Sequence, residues 1–313
     1  METYSIHNLA VTGATSSIGI SVIEECIRRK IAVTAIYRFS SVNAPRVPDH
    51  PLVTRVNCDL AGLKDLQLPG LHCDALLHLA WGSTKSTERN NLLPQVQNIQ
   101  YALDAVELAH RLGCHTFMGA GSQAEYGQYA QNLMEEFREA PSTAYGMAKL
   151  CAGQMTRMSC HNKGMRHIWP RILSTYGPYS PNHTVLCYEI RELLAGRVPQ
   201  LSGGDQIWDF IYVCDTAKAL LSLLEKGRDG EVYLICSGQT RQLKAFLQET
   251  RDAIDPALPL GLGAIPYGPG TVMHLGGSIA KIEKDTGWHP ETTFEVGIRE
   301  TIRWVQESEQ PVL

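Results

Sequence analysis

Val11-Thr12-Gly13-Ala14-Thr15-Ser16-Ser17-Ile18-Gly19 follows an apolar run at Ser5–Val11 and leads into an amphipathic stretch at Ile18–Arg29. A strand that ends in a glycine-bearing turn and reopens as a helix places unpaired N–H groups where an anion can reach them. Gly13 permits the tight turn, Thr15, Ser16 and Ser17 are small enough for a pyrophosphate to approach, and Gly19 lets the helix pack closely on the strand. Such a turn means little alone; here it stands at the first strand–helix junction of a longer alternation. Apolar runs at Ala32–Tyr37, Leu52–Asn57, Ala75–Leu79, Thr116–Gly119, Arg166–Trp169 and Val232–Ile235 alternate with helical stretches at Leu92–Leu112, Tyr145–His161 and Val213–Glu225. This order predicts an α/β fold of the Rossmann type, a doubly wound parallel sheet with ligands at the carboxyl ends of its strands. From about Pro170, Gly/Pro/Asn-rich stretches at Tyr176–His183 and Ala257–Gly277 break up shorter helical pieces. The expected division is a dinucleotide-binding lobe over 1–170 plus about 205–236, and a smaller, discontinuous substrate lobe over about 171–204 and 237–313.

The 313 residues carry 28 Lys+Arg against 32 Asp+Glu, a net charge of −4, with 44% hydrophobic residues. That is enough to build a core and excludes a disordered chain. No Lys/Arg-rich run offers a footprint for a phosphate backbone, so nucleic acid is not an expected partner. No apolar run reaches the roughly 18–20 residues of a membrane span, and Met1–Asn8 reads as the start of the fold and not as a leader. Nine scattered cysteines, never in C-x-x-C spacing, read as reduced thiols of a cytoplasmic protein, and no metal site is expected.

Arg38 closes the second strand, with Ser40 and Ser41 beside it, where an NAD-binding turn has an acidic residue for the ribose 2′-hydroxyl. A guanidinium suits a 2′-phosphate, so NADP(H) is the expected cofactor, with NAD(H) possible; the other reading of Arg38 is a solvated loop cation. Tyr145 and Lys149 form the chain's one Tyr-x-x-x-Lys pair, on a helix that puts both on one face. An ammonium there is expected to draw the phenol's pKa down toward working pH and make Tyr145 a proton donor or acceptor. Ser122, at the end of the fifth strand, is placed to bond the same oxygen.

With these elements in order, the sequence resembles the extended short-chain dehydrogenase/reductases of the NAD-dependent epimerase/dehydratase branch. Thr12–Gly19, Cys58-Asp59-Leu60, Leu77-His78-Leu79-Ala80, Gly121–Gly127, Tyr145–Lys149, Tyr176-Gly177-Pro178, Asp209–Asp215 and Gly287–Pro290 stand in order and at the expected spacings. The subgroup it looks most like holds CDP-abequose synthase-like 4-ketoreductases. The resemblance implies that Gly13, Thr15, Ser16, Ser17, Ile18 and Gly19 line the dinucleotide turn and that Asp59 and Leu60 line the adenine pocket. It further implies Leu79, Ala80 and Trp81 at the ribose or nicotinamide, and Ser122, Tyr145 and Lys149 as the catalytic set, with Lys149 also on the nicotinamide ribose. It implies a nucleotide-sugar substrate and a homodimer through helices 92–112 and 145–161. Asn98 sits where the family often has Asn, and reads equally as a capping or core amide.

Four departures from the family shape the expected chemistry. Ser16 replaces a glycine of the turn. Ala124 stands where 4,6-dehydratases carry the acid used in elimination, with Glu125 one residue later and differently aimed. Trp208 replaces an Arg that holds the diphosphate, and Ser174 replaces an Asn. Substrate contacts are therefore expected from Ser122, Gln123, Arg171, Ser174 and Trp208, with Arg191 and Arg241 as further cations. The expected reaction is reduction of a 4-keto-6-deoxy nucleotide sugar by NADPH, a 4-epimerase that retains NAD being the alternative and a non-catalytic dinucleotide-binding protein a third.

Overall fold

Leu9, Ala10 and Val11 are fully buried, as a central strand covered on both faces requires. The computed structural model describes residues 3–268 and 270–309, so Met1 and Glu2 of the expected N-terminal start lie outside it. The chain runs β1 (Asn8–Thr12), α1 (Ser17–Arg28), β2 (Ala32–Tyr37), β3 (Val53–Asn57), β4 (Ala75–His78), α2 (Leu92–Arg111), β5 (Thr116–Gly119), β6 (Gly121–Ser122) and α3 (Ala144–Asn162). It continues through β7 (Arg166–Ile172), β8 (Ser174–Tyr176), α4 (Val185–Leu194), β9 (Ile207–Tyr212), α5 (Val213–Lys226) and β10 (Glu231–Ile235). β11 (Thr240–Gln242), α6 (Leu243–Ile254), β12 (His274–Leu275), α7 (Ala280–Thr286) and α8 (Phe294–Glu309) complete it.

The main sheet is parallel throughout, in the order β3-β2-β1-β4-β5-β7-β10, with β6 continuing the pairing along β7. Strands wind outward from β1 to β3, and the chain then returns to the other side of β1 as β4. The β1/β4 boundary is thus the switch point where a doubly wound sheet opens its crevice. α1 and α5 pack together, as do α2 and α3. The doubly wound α/β fold is the one expected.

A second sheet joins β11-β9-β12, with β8 pairing to β9. Ile207–Tyr212 therefore belongs to the second sheet, and the expected return to the main layers near 205 begins only with α5, which packs on α1, and β10. The physical reason is that β9 gains partners on both sides from strands of two or three residues, too short for any periodicity to announce. Arg166–Ile172 likewise extends three residues past the expected strand, because β6 pairs with its end.

Candidate active site

Gly13 leaves β1 with φ +70°, and a Cβ on it would lie 2.8 Å from the backbone N of Ala80. A Cβ on Gly19 would lie 2.5 Å from the Gly13 carbonyl oxygen. The turn is therefore folded against the end of β4 and against its own helix, with no room for side chains at either point. Ser16 does more than stay small: it is the N-cap of α1, its hydroxyl accepting from Gly19 N at 3.0 Å. The serine that departs from the family's glycine thus contributes a helix cap. Thr15 accepts a hydrogen bond from Ser41 at 3.0 Å, which ties the turn to the loop after β2. In that loop Arg38 is exposed, and its guanidinium meets no carboxylate among the described residues. Asp59 caps the short 3-10 turn Leu60–Gly62 beyond β3. This cradle, with the free N–H groups of α1's first turn, fits a dinucleotide pyrophosphate.

Past Leu79 and Ala80, Trp81 is held by residues that sequence reading left open or missed. Asn98 on α2 accepts from Gly82 N at 2.9 Å and donates to Gly82 O at 3.0 Å. Gln95, one turn earlier, accepts from Trp81 Nε1 at 2.9 Å and donates to Ser83 O at 2.9 Å. Asn98 is thus a buried amide that clamps the loop after β4. No sequence signal separated Gln95 from any other helix amide.

Trp81 closes over Tyr145 and Lys149. The Tyr145 ring meets it edge-on at 6.2 Å, and the Lys149 Nζ sits 3.7 Å from the Trp81 ring centroid while donating to Ala120 O at 2.6 Å. Thr143 caps α3, so Tyr145 lies in its first turn and Lys149 one turn on, both buried. The Ser122 hydroxyl lies beside the phenol and favours its ionised form. Ser122, far from the other two in sequence, joins Tyr145 and Lys149 in one cluster.

The expected electrostatics are corrected in one respect. Burial raises the Tyr145 phenol above its ordinary value, outweighing the Ser122 hydroxyl and the field of Arg89, whose guanidinium lies 5.0 Å from the ring centroid. Lys149 does not draw it down, because its nitrogen is turned to Ala120 and Trp81, 5.9 Å from the Tyr145 ring centroid. Burial also pulls Lys149 itself down to about 7, against the pull of Glu125. Arg89 was not foreseen; it lies in a loop without periodicity.

Among the expected substrate residues, Arg171 is misplaced. It is 2% exposed, its Nε donates to Glu125 at 2.7 Å and its Nη2 to Glu139 at 2.9 Å, and it lies over the Tyr126 ring. It is a buried ion-pair member and cannot also meet a diphosphate. β7 runs farther than expected and carries Arg171 into the sheet. Glu125 is aimed away from the phenol: it accepts from Ser122 N at 2.7 Å, from Trp169 Nε1 at 3.1 Å and from Arg171. Trp208 donates to Ser174 Oγ at 2.9 Å, so the two departures touch each other. Arg241 lies opposite Trp208 in the sheet register, paired with Glu249 and stacked on Phe246. Gln123 is half-buried at the start of the turn after β6. His274 pairs with Asn132, and Trp169 packs as a buried side chain.

No group of three His, Cys, Asp or Glu side chains among the described residues is placed to hold a metal, and no described helix is long and apolar enough to cross a membrane. Comparison with known proteins gives two kinds of match. dTDP-glucose 4,6-dehydratase of Xanthomonas campestris pv. campestris is 28% identical over 199 residues, 60% of this chain and 57% of that protein. The Shigella flexneri enzyme of that name is 29% identical over 53% of this chain and 48% of its own length, so this chain spans about half the length of such relatives. Among solved structures, UDP-N-acetylglucosamine 4-epimerase of Methanobrevibacter ruminantium superposes with a TM-score of 0.87 at 22% identity, covering 98% of this chain and 100% of that one. A Streptomyces venezuelae dTDP-glucose 4,6-dehydratase with NAD and TYD bound gives 0.84 at 21% identity, covering 96% and 97%. At such identities these structures share the fold. The profile of the NAD dependent epimerase/dehydratase family matches residues 9–236, from β1 to just past β10, and the chain belongs to that family.

Proposed function

We propose that the chain is an NADP(H)-dependent oxidoreductase that reduces the keto group of a nucleotide-linked 4-keto-6-deoxy sugar. The observation that carries this reading is the buried Ser122–Tyr145–Lys149 cluster beside a turn shaped for a dinucleotide, with the neighbouring acid, Glu125, tied to Arg171. Elimination of water needs a free acid beside the phenol; Ala124 cannot supply one and Glu125 is turned away. A bound dinucleotide supplies the hydride that goes to the keto carbon. Tyr145, neutral because burial disfavours its phenolate, donates its proton to the carbonyl oxygen as charge develops there. Ser122 orients that oxygen, and Lys149 holds the nicotinamide ribose. Gln123, Ser174 and Trp208 are the proposed substrate contacts.

The preference for NADPH rests on Arg38, exposed and without a carboxylate partner, and it parts from the solved relatives that hold NAD. Incubation with 4-keto nucleotide sugars is expected to consume NADPH in a 1:1 ratio with product, and Arg38→Ala to lose the preference over NADH. Purification with tightly held NAD and turnover without added cofactor is the epimerase's result, and would replace this reading.

A homodimer through α2 and α3 is proposed as well. Leu92, Leu93 and Val96 on α2 and Met147, Met155 and Met158 on α3 are exposed apolar side chains on two helices that pack together, and a patch of this kind suits a second copy of the chain. Sedimentation is expected to give twice the chain mass, and Leu93→Glu with Met158→Glu to halve it; a wild-type monomer overturns the assignment.

A further inference from the structure

Glu125 is 1% exposed, yet it is bound from three directions. Its carboxylate accepts from Ser122 N at 2.7 Å, closing a reciprocal cap in which the Ser122 hydroxyl accepts from Ala124 N at 3.2 Å. From β7 it receives Trp169 Nε1, at 3.1 and 3.2 Å to its two oxygens, and Arg171 Nε at 2.7 Å. Arg171 is in turn held by Glu139, which is 37% exposed and links the cluster to the surface. We infer that Glu125 is a positioning residue of the active site: through Ser122 N it fixes the serine beside the Tyr145 phenol, and its charge balances the buried ammonium of Lys149.

The groups facing Glu125 are Arg171 and Trp169 from β7, Tyr126 from its own turn, and Tyr145 and Lys149 from α3. Those facing Lys149 are Glu125, Tyr145, the Trp81 ring and His78, which burial pulls down to about 3 and which contributes no positive charge at neutral pH. Lys149 Nζ is held on Ala120 O and the Glu125 carboxylate on Ser122 N, backbone groups two residues apart at the same strand end, and from there the field of Glu125 opposes the burial that lowers the Lys149 pKa. Removing its charge moves that pKa to lower pH, so the protonated form is lost sooner as pH rises.

This inference rests on the catalytic reading of Ser122, Tyr145 and Lys149, and the experiment separates the two. Glu125→Gln keeps the shape and, through its one carbonyl oxygen, the bonds from Ser122 N and Trp169 Nε1, while it sets an NH2 against Arg171 Nε and removes the charge. Expected are a kcat roughly tenfold lower at pH 7, a KM for the dinucleotide within about twofold, and an alkaline limb of kcat moved down by about half a unit or more. Titration of Lys149 by carbon NMR of the labelled ε-methylene shows the same shift without any substrate. An unchanged kcat and an unchanged Lys149 titration overturn the inference. Should Glu125→Gln fail to fold, Glu125→Asp, which keeps the charge and withdraws the carboxylate from Ser122 N, is expected to keep the Lys149 titration and lower kcat; wild-type kcat in that variant overturns it too. A Lys149 shift in a protein that reduces no keto sugar would leave Glu125's electrostatic part standing and remove the proposed reaction.

Discussion

Tyr145→Phe is expected to lower kcat by about 10²–10⁴-fold, the range a positioned general acid contributes, while leaving dinucleotide binding intact. The variant removes one oxygen and nothing else. The ring keeps its edge contact with Trp81 and its place under Arg89, the backbone N still donates to Arg89 O, and the Lys149 contact to Ala120 does not involve it. What disappears is the proton that, in the proposed reduction, Tyr145 gives to the carbonyl oxygen. Because burial raises the phenol's pKa, the donor is present in its neutral form across neutral pH, as the proposed reduction requires. Quenching of tryptophan fluorescence by added NADPH measures binding, and single-turnover oxidation of NADPH measures chemistry. Full turnover by Tyr145→Phe on a substrate the wild type accepts removes Tyr145 from the mechanism.

Tyr145 illustrates which parts of the site are legible in a linear chain. A pair four residues apart on a helix, or a glycine turn between strand and helix, keeps its geometry wherever the helix goes, and Gly13, Gly19, Tyr145 and Lys149 were readable for that reason. Long-range partnership is different. Nothing in the order of residues tells that Glu125 faces Arg171, 46 positions away, or that Gln95 and Asn98 hold the loop of Trp81. Arg171 was misread because a cation in a ligand-binding lobe looks free until its partner is seen. The same limit hid β8, β11 and β12, strands of two or three residues whose existence depends on β9.

Arg171→Leu is expected to destabilise the fold by about 3–5 kcal/mol, because it leaves a buried carboxylate without its counter-charge. Glu125 is 1% exposed and burial already raises its pKa; Arg171, the Ser122 N–H and the Trp169 indole pull it back toward the ionised form. With the guanidinium gone, the carboxyl must either take up a proton or stay charged in an apolar setting, and both cost stability. The loss should be smallest at low pH, where protonation of Glu125 is cheapest, and grow as pH rises. Denaturant unfolding at pH 5 and pH 8 checks the sign. In a Glu125→Gln background the same substitution is expected to cost much less, since the charge that needed Arg171 has gone, and the double-mutant cycle reads that coupling. The outcome also decides between two roles for Arg171. A substrate-binding arginine would raise KM for an anionic sugar and leave stability unchanged, whereas the buried pair seen here shifts the unfolding midpoint first and touches catalysis only through Glu125 and Ser122.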